Sequence, residues 1–371
     1  MLPAEMLPED AARAVLVGRV WRGDRPWLVT VRNGRLLSLD GLADTMSELL
    51  DLPDVAAAVA AFDASPLDVT EADLLAPCDL QAIKAAGVTF ADSMLERVVE
   101  ERAGGDVAKA ASIRAEIEAL AGSTLAGVRP GSAEAAALRE AMMAAGQWSQ
   151  YLEVGLGPYA EIFTKAQPMS AVGWGAAVGL HPASQWNNPE PEMVLAVTSR
   201  GEIVGATLGN DVNLRDIEGR SALLLPMAKD NNASCAIGPF IRLFDAHFTL
   251  EDVRAADVSV EIAGEDGFRC KGVNSMARIS RDPLDLVAQA YGRSHQYPDG
   301  FMLFCGTMYV PTDDRGASGQ GFTHHLGDKV SIRSPRIGCL VNSVTRSDLA
   351  PPWTFGVGAL LRAIQPKGRE G

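Results

Sequence analysis

The sequence lacks the marks of several protein classes. Its five cysteines, Cys78, Cys235, Cys270, Cys305 and Cys339, are odd in number, widely spread and never in a Cys-x-x-Cys pair. This argues against a disulfide framework or a thiolate zinc site and leaves reduced thiols. No apolar run approaches the roughly 18 residues of a membrane span; the most apolar stretches, 55–62 and 171–180, stop well short of it. The acidic N-terminus has no basic-then-apolar signal pattern, so a cytoplasmic location without a membrane partner is expected. Positive charge is scarce too: 33 Lys and Arg stand against 47 Asp and Glu, a net charge of −14. Such a field disfavours nucleic acid as a partner. It leaves room for clustered carboxylates around a divalent cation, although solubilising surface charge is the commoner meaning of an acidic balance.

The 371 residues suffice for two to three domains, and a hydrophobic fraction of 47% with 22% charged residues is ordinary for a globular chain. Between residues 14 and 39, short β-rich runs alternate with turn signals, and Asn33-Gly34 predicts a type I′ hairpin. The Ala/Leu-rich segments 43–50 and 54–62 read as helices, and the stretch 65–77 is punctuated by proline. A composition shift places a boundary near residue 80, giving a small N-terminal domain of mixed α/β character (1–80) and a second domain over 81–371. Segments 93–120, interrupted at Gly104-Gly105, and 132–145 predict a helical insertion spanning 91–146. After Gly155 the chain reads as strands at 193–198, 203–208, 240–243, 258–262, 302–310, 329–332 and 337–344. The expected class is α+β, with a C-terminal β-rich roll or barrel and no doubly wound parallel sheet.

The chemistry concentrates at Pro189-Glu190-Pro191-Glu192, which leads into the apolar run Met193-Val-Leu-Ala-Val. Residues two apart on a strand share a face, so Glu190 and Glu192 project together and need a cation or a proton between them. A tight turn at Gly201-Glu202 would set Arg200 against Ile203 and Glu192 against Asp211. A slip of one or two residues still leaves Asp211 at the same end of the ribbon. Three carboxylates suit magnesium or manganese. Lys229, close by in sequence, would have its pKa lowered beside a dication and could carry a proton. His324 and His325 read as loop residues and Asp328 as a turn cap.

Several motifs follow one another in order: Pro158-Tyr-Ala-Glu161, Pro189-Glu-Pro-Glu-Met, Gly209-Asn-Asp-Val, Lys229, Ile237-Gly-Pro, Pro298-Asp-Gly, Gly306-Thr307, Leu326-Gly-Asp-Lys-Val and Ile337-Gly-Cys-Leu. Over residues 84–345 this series resembles the fumarylacetoacetate hydrolase family, and within it most closely the dehydratases of 2-keto-3-deoxy pentonates in pentose catabolism. The resemblance implies that family's fold and a magnesium ion on Glu190, Glu192 and Asp211. It also implies a dehydratase with Lys229 and Glu161 as base and acid in interchangeable roles. Thr307 would hold the carboxylate end of a 2-keto sugar acid, and Ser93 would join the substrate site from a lid of helices. A homo-oligomer, dimer or dimer of dimers, is expected. The alternative within the family is a carbon-carbon hydrolase or decarboxylase of acylpyruvates. Such hydrolases carry a His three residues after an aromatic and a Glu six after it; here those positions are Phe90, Ser93 and Glu96, without the His. An alternative outside catalysis is a binding protein that keeps the ligand affinity of the scaffold without turnover.

Overall fold

The computed structural model describes residues 1–121, 128–144, 146, 148–316 and 321–365. Residues 122–127 and Ala145 of the expected helical insertion lie outside the described residues. The chain begins with an antiparallel meander, Leu16–Arg22, Arg25–Arg32 and Arg35–Ser38. Asn33 and Gly34 form the two-residue turn between the last two strands, with φ of 51° and 68°, the left-handed pair that a type I′ turn requires.

Leu16–Arg22 pairs on its other side with Cys235–Leu243, setting Leu16 opposite Arg242. The meander therefore belongs to one sheet of eleven strands that continues through Ile203–Asp211, Pro191–Val197, Phe301–Phe304, Ala82–Gly87 and Glu161–Ala166. This sheet runs across position 80 of the sequence without a break, and the buried Arg242 adds a clamp by donating to the Asp10 carboxylate. A second sheet of five strands comprises Arg269–Ser275, Asp257–Ala263, Lys329–Ser334, Gly338–Arg346 and Ala177–Leu180. The class is the expected α+β with a β-rich body, built as two large open sheets.

Strand Pro191–Val197 explains its own sequence. Met193, Leu195 and Val197 pack toward the second sheet with Val260, Ile332 and Leu340. The alternate residues Val194 and Ala196 pack with Met46, Leu49, Val55 and Val59, which come from the two short N-terminal helices Met46–Leu50 and Val55–Ala61. A strand buried on both faces reads as a continuous apolar run. Helices Ala91–Ala103, Val107–Ala121, Ala133–Ala144 and Gln150–Leu156 form a satellite layer around Met94, Val98, Val99, Tyr151 and Leu152.

One expected strand is shorter than the sequence suggested. The run 302–310 is a strand only over Phe301–Phe304, because Gly306 takes φ 108° and turns its backbone N–H onto Glu192. All five cysteines are buried and free. Among the described residues no helix is long and apolar enough to cross a membrane.

Candidate metal and catalytic site

The register of the carboxylate ribbon differs from expectation by two residues. Glu192 lies opposite Gly209 and Pro191 opposite Asn210, while Asp211 N–H donates to Glu190 O at 3.0 Å, so Glu190 is the residue across from Asp211. The cause is the connection between the strands. Thr198 N–H donates to Glu202 O at 2.9 Å across a three-residue loop. Pairing then shifts between Ala196 and Val197, with Val204 as the extra residue of a bulge. Asp211 nevertheless stays with the glutamates: one carboxylate oxygen from each of Glu190, Glu192 and Asp211 lies within 4.8 Å of the others, and all three residues are buried.

Charge in this cluster is only partly balanced. Arg97, on helix Ala91–Ala103, donates to Glu190 Oε1 and also pairs with Glu100 at 2.7 Å and Glu218 at 3.0 Å. Lys229 Nζ lies 2.6 Å from Glu190 Oε2 and 3.2 Å from Asp211 Oδ2. Lys165 Nζ lies 3.0 Å from Asp211 Oδ1 and donates to the Lys229 carbonyl. Burial pushes the Glu190 pKa up, but Arg97 and Lys229 outweigh it and hold the carboxyl down to about 2. Among the described residues Glu192 accepts only from neutral donors, Gly306 N–H at 2.7 Å and the Thr307 hydroxyl at 3.4 Å. Burial, and then Asp211 and Glu190, lift its carboxyl well above the usual range. A hard cation among these oxygens would satisfy Glu192 without a proton, and an all-carboxylate donor set fits magnesium-class ions.

The lowered pKa expected of Lys229 belongs to a site that holds a dication; among the carboxylates alone the balance runs the other way. Burial does work against its charge, but Asp211, Glu190 and Glu218 prevail and hold its pKa above the ordinary lysine value. Glu161 opens strand Glu161–Ala166 opposite Gly87. A side chain at position 87 would overlap Glu161 Oε2 and sit 2.7 Å from its Cδ, so the missing Cβ is what gives this carboxyl its place. Burial raises the Glu161 pKa against the pull of Arg97 and Lys229.

Thr307 thus stands beside the carboxylates, on Glu192. Ser93 does not join them through any hydrogen bond: its hydroxyl donates to Phe90 O at 2.9 Å on its own helix. It lines a cavity of about 270 Å³ with Glu96, Arg114, Met308 and Tyr309. Nothing in the sequence assigned a role to Arg97, Glu100, Arg215 or Glu218, and Lys165 stood only in the motif run that follows Glu161. Glu96, Arg97 and Glu100 do show helical spacing, the one available signal, but a charged helix reads first as a solvated face. Arg215 joins this buried network at 2.7 Å from both Glu96 and Glu100. His324, expected in a loop, is buried with its Nδ1 3.0 Å from Asp328, and Asp328 also holds Arg315. Asp328 accepts from His325 N–H at 3.0 Å, as a turn cap does.

Comparison with known proteins gives the following. Residues 158–345 match the family profile described as fumarylacetoacetate (FAA) hydrolase C-terminal. The protein named "Probable 2-keto-3-deoxyxylonate dehydratase" from Haloferax volcanii is 31% identical over 288 residues, covering 76% of this chain and 93% of that protein. The "2-dehydro-3-deoxy-D-arabinonate dehydratase" of Saccharolobus solfataricus is 32% identical over 189 residues, covering 50% of this chain and 59% of that protein. Among solved structures, "2-keto-3-deoxy-D-arabinonate dehydratase complexed with magnesium and 2,5-dioxopentanoate" superposes with a TM-score of 0.63 at 20% identity, over 89% of this chain and 99% of that one. At that identity the structural likeness speaks for the fold alone.

Proposed function

Since the chain belongs to the fumarylacetoacetate hydrolase family, we propose that it is a metal-dependent dehydratase of a 2-keto-3-deoxy sugar acid. The substrate on this reading is 2-keto-3-deoxy-D-xylonate or -arabinonate, and the product is 2,5-dioxopentanoate, a step of pentose catabolism. The observation that carries it is the buried triad of Glu190, Glu192 and Asp211 with Lys229 against it, in a chain whose relatives bear dehydratase names.

Glu190, Glu192 and Asp211 hold magnesium, for which manganese is the alternative, and the bound ion supplies the positive charge that makes the carbon 3 proton of a 2-keto acid more acidic. Thr307 anchors the carboxylate end of the substrate, and Ser93 contributes from the helical lid. Lys229 is the base for the carbon 3 proton on this reading: against burial, Asp211 and Glu190 hold its pKa up, and a cation on those carboxylates would cancel that pull and let the amine lose its own proton. Glu161, whose pKa burial raises, hands a proton to the carbon 4 hydroxyl, which leaves as water. Proton shifts in the unsaturated product then give the 5-aldehyde. The roles of Lys229 and Glu161 are interchangeable on present geometry.

A hydrolase reading is disfavoured by one contact set. Glu96, the carboxylate that would activate water, accepts from Arg114 at 2.6 and 2.7 Å and from Arg215 at 2.7 Å. We further take residues 1–80 and 81–371 as the two domains, the cytoplasm as the location, and a homodimer or dimer of dimers as the working form. Incubation with 2-keto-3-deoxy-xylonate and, separately, with an acylpyruvate, followed by product mass, tests the activity. Loss of one water from the sugar acid with magnesium present, and none in excess chelator, is expected. Cleavage of the acylpyruvate into two acids would replace this reading with the hydrolase.

A further inference from the structure

The ribbon that positions the carboxylates continues beyond them in the same register. Asn188 lies opposite Asn213, and Asn187 opposite Leu214, an extension of the pairing that sets Pro191 against Asn210. Residues two apart on a strand share a face, and residues directly opposite share it as well. One face therefore carries, in order, Glu192, the pair Glu190 and Asp211, and the pair Asn188 and Asn213; the strands end there, and beside them Trp186, in the preceding bend, has the Arg215 guanidinium 4.3 Å from its ring centroid. The row is tied to helix Ala91–Ala103 at two places, through Arg97 to Glu190 and through Arg215 to Glu96 and Glu100. The asparagines lie between those two ties.

Asn188 and Asn213 are completely buried. Asn188 Nδ2 donates to the Pro189 carbonyl at 2.9 Å, but its Oδ1 has no partner among the described residues. Neither Oδ1 nor Nδ2 of Asn213 has one, and the same holds for the nearby Trp186 Nε1. Buried polar groups are almost always hydrogen-bonded, so three unmatched atoms on two facing asparagines, with a fourth on the nearby Trp186, point to something that meets them there. A side-chain amide offers an acceptor and two donors, and a hydroxyl needs one of each. Two residues of strand put the asparagine pair about 6.6 Å from Glu190 and Asp211, close to the length of an extended five-carbon acid whose keto-acid end lies at the carboxylates.

Building on the function proposed above, we infer that Asn188 and Asn213 form the subsite for the hydroxyl-bearing end of the sugar acid and read the carbon 5 hydroxyl of a pentonate. A site made to hydrogen-bond a hydroxyl rejects the analogue that lacks it, because its own buried groups are then left unpaired.

The test compares 2-keto-3-deoxy-pentonate with 4-hydroxy-2-oxopentanoate, which keeps the leaving hydroxyl at carbon 4 and lacks the one at carbon 5. The wild-type protein should prefer the pentonate in kcat/KM by a factor on the order of 10² to 10⁴. In Asn213→Ala and Asn188→Ala the preference should collapse to within about tenfold, with the loss falling on the pentonate. Asn213→Ser and Asn188→Ser, which retain a small polar group, serve the same comparison if an alanine variant does not fold. Magnesium affinity, measured by calorimetry without substrate, should match the wild type. A preference unchanged by these substitutions overturns the inference, and so does a weakened magnesium site, since the asparagines would then serve the ion. A wild-type protein that dehydrates neither compound sinks the functional reading itself, a result distinct from either of these.

Discussion

Gly87→Ala tests the role of Glu161 without touching Glu161. The new methyl carbon would overlap Glu161 Oε2 and stand 2.7 Å from Cδ and 3.3 Å from Cγ. Carbon atoms rest at about 3.5 Å or more, so the carboxyl must retreat by about 1 Å. It sits at the free end of a flexible side chain and can do so cheaply, and stability should change by no more than about 1 kcal/mol. Catalysis is less tolerant, since a misplacement of about 1 Å can cost roughly 10²-fold. The expected result in steady-state dehydration of 2-keto-3-deoxy-pentonate is a kcat lowered by about two orders of magnitude with KM little changed, in a protein that melts within a few degrees of wild type. A wild-type kcat in the folded variant would refute the assignment of Glu161 to proton transfer. A wild-type kcat restored by Glu161→Asp in the Gly87→Ala background would show that room alone was lost.

Glu192→Gln removes a charge that burial, Asp211 and Glu190 disfavour in the folded state. A carboxyl with a raised folded pKa loses stability as pH rises past its unfolded value, so in chelator at pH 7 the variant should melt above wild type. With magnesium the order should reverse, and thermal melts in both buffers decide. Arg97→Met leaves Glu190, Glu100 and Glu218 without their shared cation, and urea unfolding should show a loss of about 3–5 kcal/mol; a change under about 1 kcal/mol would contradict the network. Burial is the main cause that lowers the His324 pKa. Stability from this group is full above the unfolded value of about 6.5 and falls as pH drops toward the folded value. His324→Asn should flatten the fall in melting temperature between pH 7 and 5, and an unchanged slope would count against it.

The three carboxylates were legible because prolines before an apolar run mark where one strand begins and Gly209-Asn-Asp closes the strand paired with it, and Lys229 because of the family resemblance. The register was not. It depends on the bulge at Val204, which no residue type signals, and two residues of error set Asp211 against Glu192 when its partner is Glu190. Arg97 and Lys165 escaped for a different reason. A charge looks solvated until one knows what packs over it, and here that is a helix and a sheet from distant parts of the chain. Asn188 and Asn213 gave even less warning: an asparagine carries no charge, and only the absence of a partner in a buried row sets it apart. The first meander was readable from Asn33-Gly34, but the pairing of Leu16 with Arg242 joins residues too far apart in sequence for any local pattern to announce.

That pairing limits how modular this chain can be. If the first 80 residues were exchanged or trimmed, strand Cys235–Leu243 would present unpaired backbone groups along one side, an invitation to association with other chains, and Arg242 would lose its only carboxylate among the described residues. What the N-terminal segment must supply is a strand's worth of backbone donors and acceptors in the right place. Its side chains are then free to change so long as that edge stays covered, an apolar surface still packs on Val194 and Ala196, and an acid remains within reach of Arg242.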